Sequence, residues 1–169
     1  AGFNLLPKYK DFDLIYKWMG SAYNNLKQYD ASRSTLMEGL LIAKRKSQLL
    51  IELGDTEWES GNLKEAVYWW AQAIHCRPMT DYTPLLMLSY VADGLNLNDL
   101  QKKLLESHDR FQHGIRLVPE VAQKITKLVQ KNKTESIRKV LLGIESLYFS
   151  TTQEQTVPKP PTLEELYNS

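Results

Sequence analysis

The sequence has a single cysteine, Cys76, among 169 residues. That excludes an internal disulfide framework, argues against a cysteine-built zinc site, and leaves the redox compartment open. Surplus charge is missing too: 21 Lys and Arg stand against 20 Asp and Glu, a formal net charge of +1. A chain without an overall basic excess is not built as a general nucleic-acid or membrane-surface binder. No apolar run approaches the roughly 18 residues that a membrane-crossing helix needs, so a soluble chain is expected. The phosphate-loop, G-x-G-x-x-G and H-E-x-x-H patterns are also absent. What is there, with 43% hydrophobic residues, suffices for one folded domain with a real core. The chain opens Ala1-Gly2 without a methionine. That is the pattern of a processed or excised segment, and a tag remnant, a removed signal or lipoprotein segment and a domain boundary all fit it. Cytoplasm and bacterial cell envelope therefore both stay open.

Glycine and proline are few, 8 and 7, and their placement is informative. In "LGDTEWESGNLKEAVYWWAQAIHCRP", residues 53 to 78, Gly stands at 54 and 61, Ala at 66 and 73, and Pro at 78. Gly61-Asn62 breaks a helix and Pro78 cannot continue one, so the breaks bound two segments of helix length. Small residues at helical spacing let two helices approach closely, and a large aromatic such as Trp70 fills the space beside them. Gly20 and Gly54 lie 34 residues apart, and aligning on them sets Met19 on Leu53, Tyr29 on Leu63, Ser32 on Ala66, Leu36 on Trp70 and Gly39 on Ala73.

A 34-residue unit with small residues at these places resembles the tetratricopeptide repeat. Residues 47–80 carry the fullest resemblance, with Gly54 the small position of the first helix, Gly61 the turn, Ala66 and Ala73 the small positions of the second helix, Trp70 its large aromatic and Pro78 the end. Residues 13–46 match more loosely, with Lys27 at the turn and Lys44 where proline is usual. The resemblance implies an all-α, right-handed superhelical solenoid of antiparallel helix pairs, about three repeats plus a capping pair, with at least seven helices and no sheet. Residues 1–12 read as a lead-in.

After residue 80 the pattern changes. "HGIRLVP", 113 to 119, reads like the end of another unit, with Phe111, Gly114 and Pro119 in the places of Trp70, Ala73 and Pro78, but 41 residues on. Seven extra residues are about two helical turns, so a third unit over 81–121 is expected with both helices lengthened by about one turn. Thr83-Pro84 reads as its start, the Thr as cap. A last helical pair is expected over 120–131 and 134–149, apolar at Val121, Ile125 and Leu128 and at Ile137, Val140, Leu141, Ile144 and Leu147. It lacks the repeat motif, as a terminal cap often does. Residues 150–169 read as a proline-containing tail ending in a capped turn over 162–167, with Leu163, Leu166 and Tyr167 beside Glu164 and Glu165. That turn is expected to dock on the basic cap or in a groove, its own or a neighbour's, or else to fray.

In this family the first helix of each unit lines a concave face that binds extended peptides. The positions transfer to Leu14, Lys17, Ser21, Asn24 and Asn25 in the first unit and to Gln48, Ile51, Asp55, Trp58 and Glu59 in the second. In the third they transfer to Tyr82, Leu85, Ser89, Ala92 and Asp93. Trp58 stands out as an aromatic in the polar stretch "GDTEWES", open to ligand contact or to packing on the neighbouring unit. A subclass of the family grips a peptide's terminal carboxylate with basic residues. Lys17 fits, but Ser21 and Asp55 depart from the pattern, and Tyr82, Leu86 and Asp93 bring no positive charge.

No cofactor is implied. Trp69 and Trp70 read as core at helical spacing. Asp109 and His113 share a helix face but lack a third ligand, and His108 does not share that face with His113. Cys76, near a helix C-terminus, lacks the setting of a nucleophile. Charge is uneven: Lys124, Lys127, Lys131, Lys133, Arg138 and Lys139 crowd the last pair, while Glu52, Asp55, Glu57 and Glu59 crowd residues 52–59. The expectation is therefore a non-catalytic interaction module that binds a peptide or partner segment in the concave groove. Trp58 would be its anchor, with Lys17, Asp55 and Glu59 selecting charge. The alternatives are an adaptor that takes nucleic acid or an acidic partner on the basic C-terminal pair, and an accessory subunit or piece of a larger array.

Overall fold

A computed structural model describes residues 12–76, 81–111, 119–131 and 133–149. Pro78, His113, Gly114 and the tail with its 162–167 turn lie outside the described residues, as does nearly all of the lead-in. Among the described residues there are eight helices and no strand. In order they are α1 (Phe12–Asn25), α2 (Tyr29–Ile42), α3 (Ser47–Glu59), α4 (Leu63–Ile74), α5 (Thr83–Gly94), α6 (Asn98–Asp109), α7 (Pro119–Lys131) and α8 (Thr134–Tyr148).

The first six helices pack most extensively as consecutive pairs, α1 with α2, α3 with α4 and α5 with α6. Each pair is joined by three residues: Leu26 to Gln28, Ser60 to Asn62 and Leu95 to Leu97. The middle residue of each link has positive φ: Lys27 at 60°, Gly61 at 88° and Asn96 at 60°. The hydrogen bonds repeat as well. The backbone N–H groups of Gln28, Asn62 and Leu97 donate to the carbonyls of Tyr23, Glu57 and Ala92, at 2.9, 2.8 and 2.9 Å. This is the left-handed C-terminal cap, in which a residue past the helix end turns the chain while the last carbonyls stay satisfied. Glycine adopts it freely, asparagine tolerates it, and lysine does so at a cost of about 1 kcal/mol.

Burial on the second helices follows the same interval. Ser32, Leu36 and Gly39 of α2 are buried, then Ala66, Trp70 and Ala73 of α4, then Leu100, Leu104 and Ser107 of α6. The 34-residue spacing therefore runs on through α6, and α5 and α6 are 12 residues each, no longer than α4. The expected lengthening of the third pair does not occur. Phe111 and Pro119 do not end a second helix: α6 ends at Asp109, Phe111 is exposed, and Pro119 begins α7. Nor does Thr83 serve as the cap of α5, since Tyr82 precedes the helix and the Thr83 N–H donates to Asp81 Oδ1 at 2.9 Å.

Close approach explains the small residues. A Cβ added at Gly20 would lie 2.5 Å from Leu36 Cδ2, and one at Gly54 would overlap the Trp70 indole. Ser32 is buried because its hydroxyl is satisfied: it donates to the Gly20 carbonyl at 2.8 Å and lies 2.9 Å from Thr56 Oγ1. Buried Glu57 pairs with Arg33, whose Nη2 also donates to Ser60 Oγ at 2.8 Å, tying α2 to the end of α3.

The last two helices leave the pairwise pattern. α7 packs chiefly on α5 and α8 chiefly on α4, with smaller contacts to α5 and α6. Tyr148 of α8 meets His75 edge-on at 6.0 Å, and Arg138 Nη2 donates to the Leu95 carbonyl at 3.0 Å. Ile125, Ile137, Val140, Leu141 and Ile144 join the main core around Trp70, Leu85 and Leu88. The expected capping pair is thus two helices whose apolar faces meet earlier helices.

Candidate functional site

One cleft of about 490 Å³ opens among the described residues where α1, α3, α5 and α7 approach one another. From α1 come Ser21, Asn24 and Asn25, and from the following turn and the start of α2 come Lys27 and Tyr29. α3 contributes Glu52, Asp55 and Glu59, spaced three and four residues apart on one helix face, together with Trp58. Thr83 and Met87 of α5 and Val121 of α7 add an apolar flank.

The acidic wall is short of counter-charge. Lys124 of α7 lies 3.8 Å from Glu59 Oε2, and its ammonium is 4.4 Å from the centre of the Trp58 ring. Neither Glu52 nor Asp55 has an ion-pair partner among the described residues. Burial raises the Asp55 carboxyl to about 7; the negative charge of Glu52 adds to this, the Trp70 indole N–H opposes it, and Asp81 and Glu59 add the rest. That indole donates to Asp55 Oδ1 at 3.2 Å. Glu52 is raised as well, by burial first, against the pull of Lys17 and with the push of Asp81. Asn24 Oδ1 is buried without a hydrogen-bond partner.

Six of the expected lining residues meet here: Ser21, Asn24, Asn25, Asp55, Trp58 and Glu59. Trp58 is not the exposed aromatic its polar neighbours suggest. It is 7% exposed and 6.1 Å from Trp70 between ring centres, and what remains open lines the cleft. Lys17 does not line the cleft, although Glu52 feels its charge. The third-unit positions do not line this cleft, and α5 packs against α4, α6, α7 and α8. Ser89 is buried and donates to the Leu86 carbonyl at 2.6 Å; Leu85 and Ala92 are core, as is Ile51 on α3. Tyr82 stacks on Phe111 at 4.2 Å, and Asp93 is exposed; neither reaches the cleft, nor do Leu14 and Gln48.

Glu52, Lys27, Tyr29, Thr83, Met87 and Val121 were not legible as lining residues. Glu52 could have been found, standing one helical step before Asp55 in the acidic run; Val121 could not, since only the packing of α7 on α5 brings it there.

Among the described residues no hydrogen bond links a hydroxyl of the cleft lining to one of its carboxylates. Cys76 Sγ lies 3.6 Å from the Gln72 carbonyl, and His108 is fully buried with Nδ1 3.2 Å from Asp109. Among the described residues no three His, Cys, Asp or Glu side chains converge as a metal set, and no helix is long and apolar enough to cross a membrane. Comparison with protein-family models, curated proteins and solved structures returns no match to this chain.

Proposed function

We propose that the chain is a non-catalytic interaction module, a solenoid of tetratricopeptide type, that binds an extended segment of a partner protein in the cleft between its first helices. The single observation behind the function is the convergence of Ser21, Asn24, Asp55, Trp58 and Glu59 from α1 and α3 on one cleft of about 490 Å³. That size suits a few side chains of a bound segment, with an apolar flank for area and a few polar groups for orientation. The architecture is supported by the 34-residue recurrence of buried positions through α6 and by the three like-bonded turns.

The test is selection from a displayed library of random peptides, followed by titration of the enriched peptides. Asn25 is exposed and lines the cleft, so Asn25→Trp fills the space without disturbing the core. The reading requires selected peptides to bind the wild type and to lose binding to Asn25→Trp.

A second reading, that the chain is one piece of a larger repeat array, draws on the first pair. Leu41 is 86% exposed and Trp18 61%, with Met37 and Ile42 also open. Large apolar side chains grouped on one helical pair are what a further unit would cover. The basic-face alternative draws less support, because Lys124 is engaged with Trp58 and Glu59.

A further inference from the structure

We infer that the partner segment carries a lysine or arginine, and that the acidic wall of the cleft receives its cationic head between Glu52 and Asp55 of α3 and Asn24 of α1. This rests on the reading of the cleft as a peptide site and adds the chemistry of what enters it.

The first observation is an imbalance of donors and acceptors. Glu52 and Asp55 present two carboxylates with no ion-pair partner among the described residues, and Asn24 adds a buried Oδ1 that accepts nothing. Among the described residues one side-chain donor, the Trp70 indole N–H, is hydrogen-bonded to this set, at Asp55 Oδ1. A buried acceptor without a donor, as Asn24 Oδ1 is, and half-buried carboxylates without an ion-pair partner are well matched by a multi-donor group, and ammonium and guanidinium groups bring three and five donors respectively.

A second, independent observation is that one cation already sits on this wall. Lys124 reaches across from α7 to lie on the Trp58 ring and beside Glu59. The protein thus shows the wall accepting a basic side chain at one end, while at the other end Lys17 and Lys27 stand near but neither reaches ion-pair distance of Glu52 or Asp55.

The rest of the lining selects a side chain of a protein over a bare ion. Glu52, Asp55 and Glu59 do not converge as a metal set. Met87, Val121 and Trp58 line the cleft beside the acids with apolar surface, which suits the methylene stem of a lysine or arginine and the residue beside it.

The experiment uses a peptide selected as above and made in three forms: with its basic residue, with that residue replaced by citrulline or acetyl-lysine, and with norleucine there. Each is titrated against the wild type, Glu52→Gln and Asp55→Asn. Asp55→Asn keeps an acceptor for the Trp70 indole, and changing the peptide needs no altered protein at all. The basic peptide should bind the wild type at least about tenfold more tightly than either neutral form, and about tenfold more tightly than it binds either variant. Equal binding of all three forms would overturn the inference while leaving the peptide reading intact, provided Asn25→Trp still abolishes binding. If Asn25→Trp binds normally, the peptide reading itself fails. Free spermidine that competes as strongly as the peptide would also overturn the inference, by showing that a small polyamine is enough.

Discussion

Lys124 on α7 stands with its ammonium 4.4 Å from the centre of the Trp58 ring on α3 and 3.8 Å from the Glu59 carboxylate. These residues are 66 apart in sequence, yet the contact fixes one end of the cleft. Both charged side chains are substantially exposed, 36% for Lys124 and 52% for Glu59. Lys124→Gln should therefore lower stability by no more than about 1 kcal/mol. It should also shift the Trp58 emission, because the charge over the ring is gone. A loss well beyond that, measured by urea unfolding, would mean that Lys124 holds α7 in place.

Stability should depend on pH through Asp55. Its carboxyl is raised to about 7 in the folded chain, so it binds a proton more readily there than in the unfolded chain. Ionising it costs folding free energy, and stability from this group falls as pH rises from about 4 to about 7. The charges that set the value are Glu52 and Glu59 on α3 and Asp81 ahead of α5, with the Trp70 N–H opposing them. Lys17 acts on Glu52 from α1, Lys124 reaches Glu59 from α7, and Lys27 lines the cleft. Asp55→Asn should raise the melting temperature at pH 8 and change it little near pH 4. An equal effect at both would show that Asp55 ionises as an ordinary surface carboxylate.

The repeating turn gives a backbone test. Lys27 at φ 60° and Gly61 at φ 88° occupy equivalent places. Lys27→Gly should stabilise by roughly 1 kcal/mol and Gly61→Ala should destabilise by about the same amount. Changes of the same sign in both variants would contradict the equivalence of the two turns.

Much of this was readable and some was not. The Gly54–Trp70 contact was legible because close helix approach requires a small residue opposite a large one, and glycine is rare enough to show the interval. The third pair was misread because Leu100, Leu104 and Ser107 fill the small-large-small places without the usual residue types, and Leu95-Asn96-Leu97 turns the chain without glycine. The phrase "HGIRLVP" looked more like a repeat end than the true one did. For Trp58 the sequence leaves ligand contact and packing open, and the structure buries it. Its neighbours in sequence are polar, but Trp70 and Lys124 bury it from other helices, and no local pattern carries that. Thr83, Met87 and Val121 likewise reach the cleft only through such long-range packing.

Overpacking tests the contact of α3 with α4 directly. Gly54→Leu and Ala66→Leu each add bulk where none fits, against the Trp70 indole and at a fully buried site. Each should cost roughly 1–3 kcal/mol in chemical denaturation. Unchanged midpoints in both would mean that the two helices are not seated in this register.

The central claim is that the cleft is the binding surface, and chemical-shift mapping by NMR during titration with a selected peptide tests it most directly. The account predicts the largest shifts at Ser21, Asn24 and Asp55 and at the indole N–H groups of Trp58 and Trp70. Shifts confined to the lysines of α7 and α8, such as Lys127, Lys131 and Lys139, would contradict it and place binding on the basic face instead.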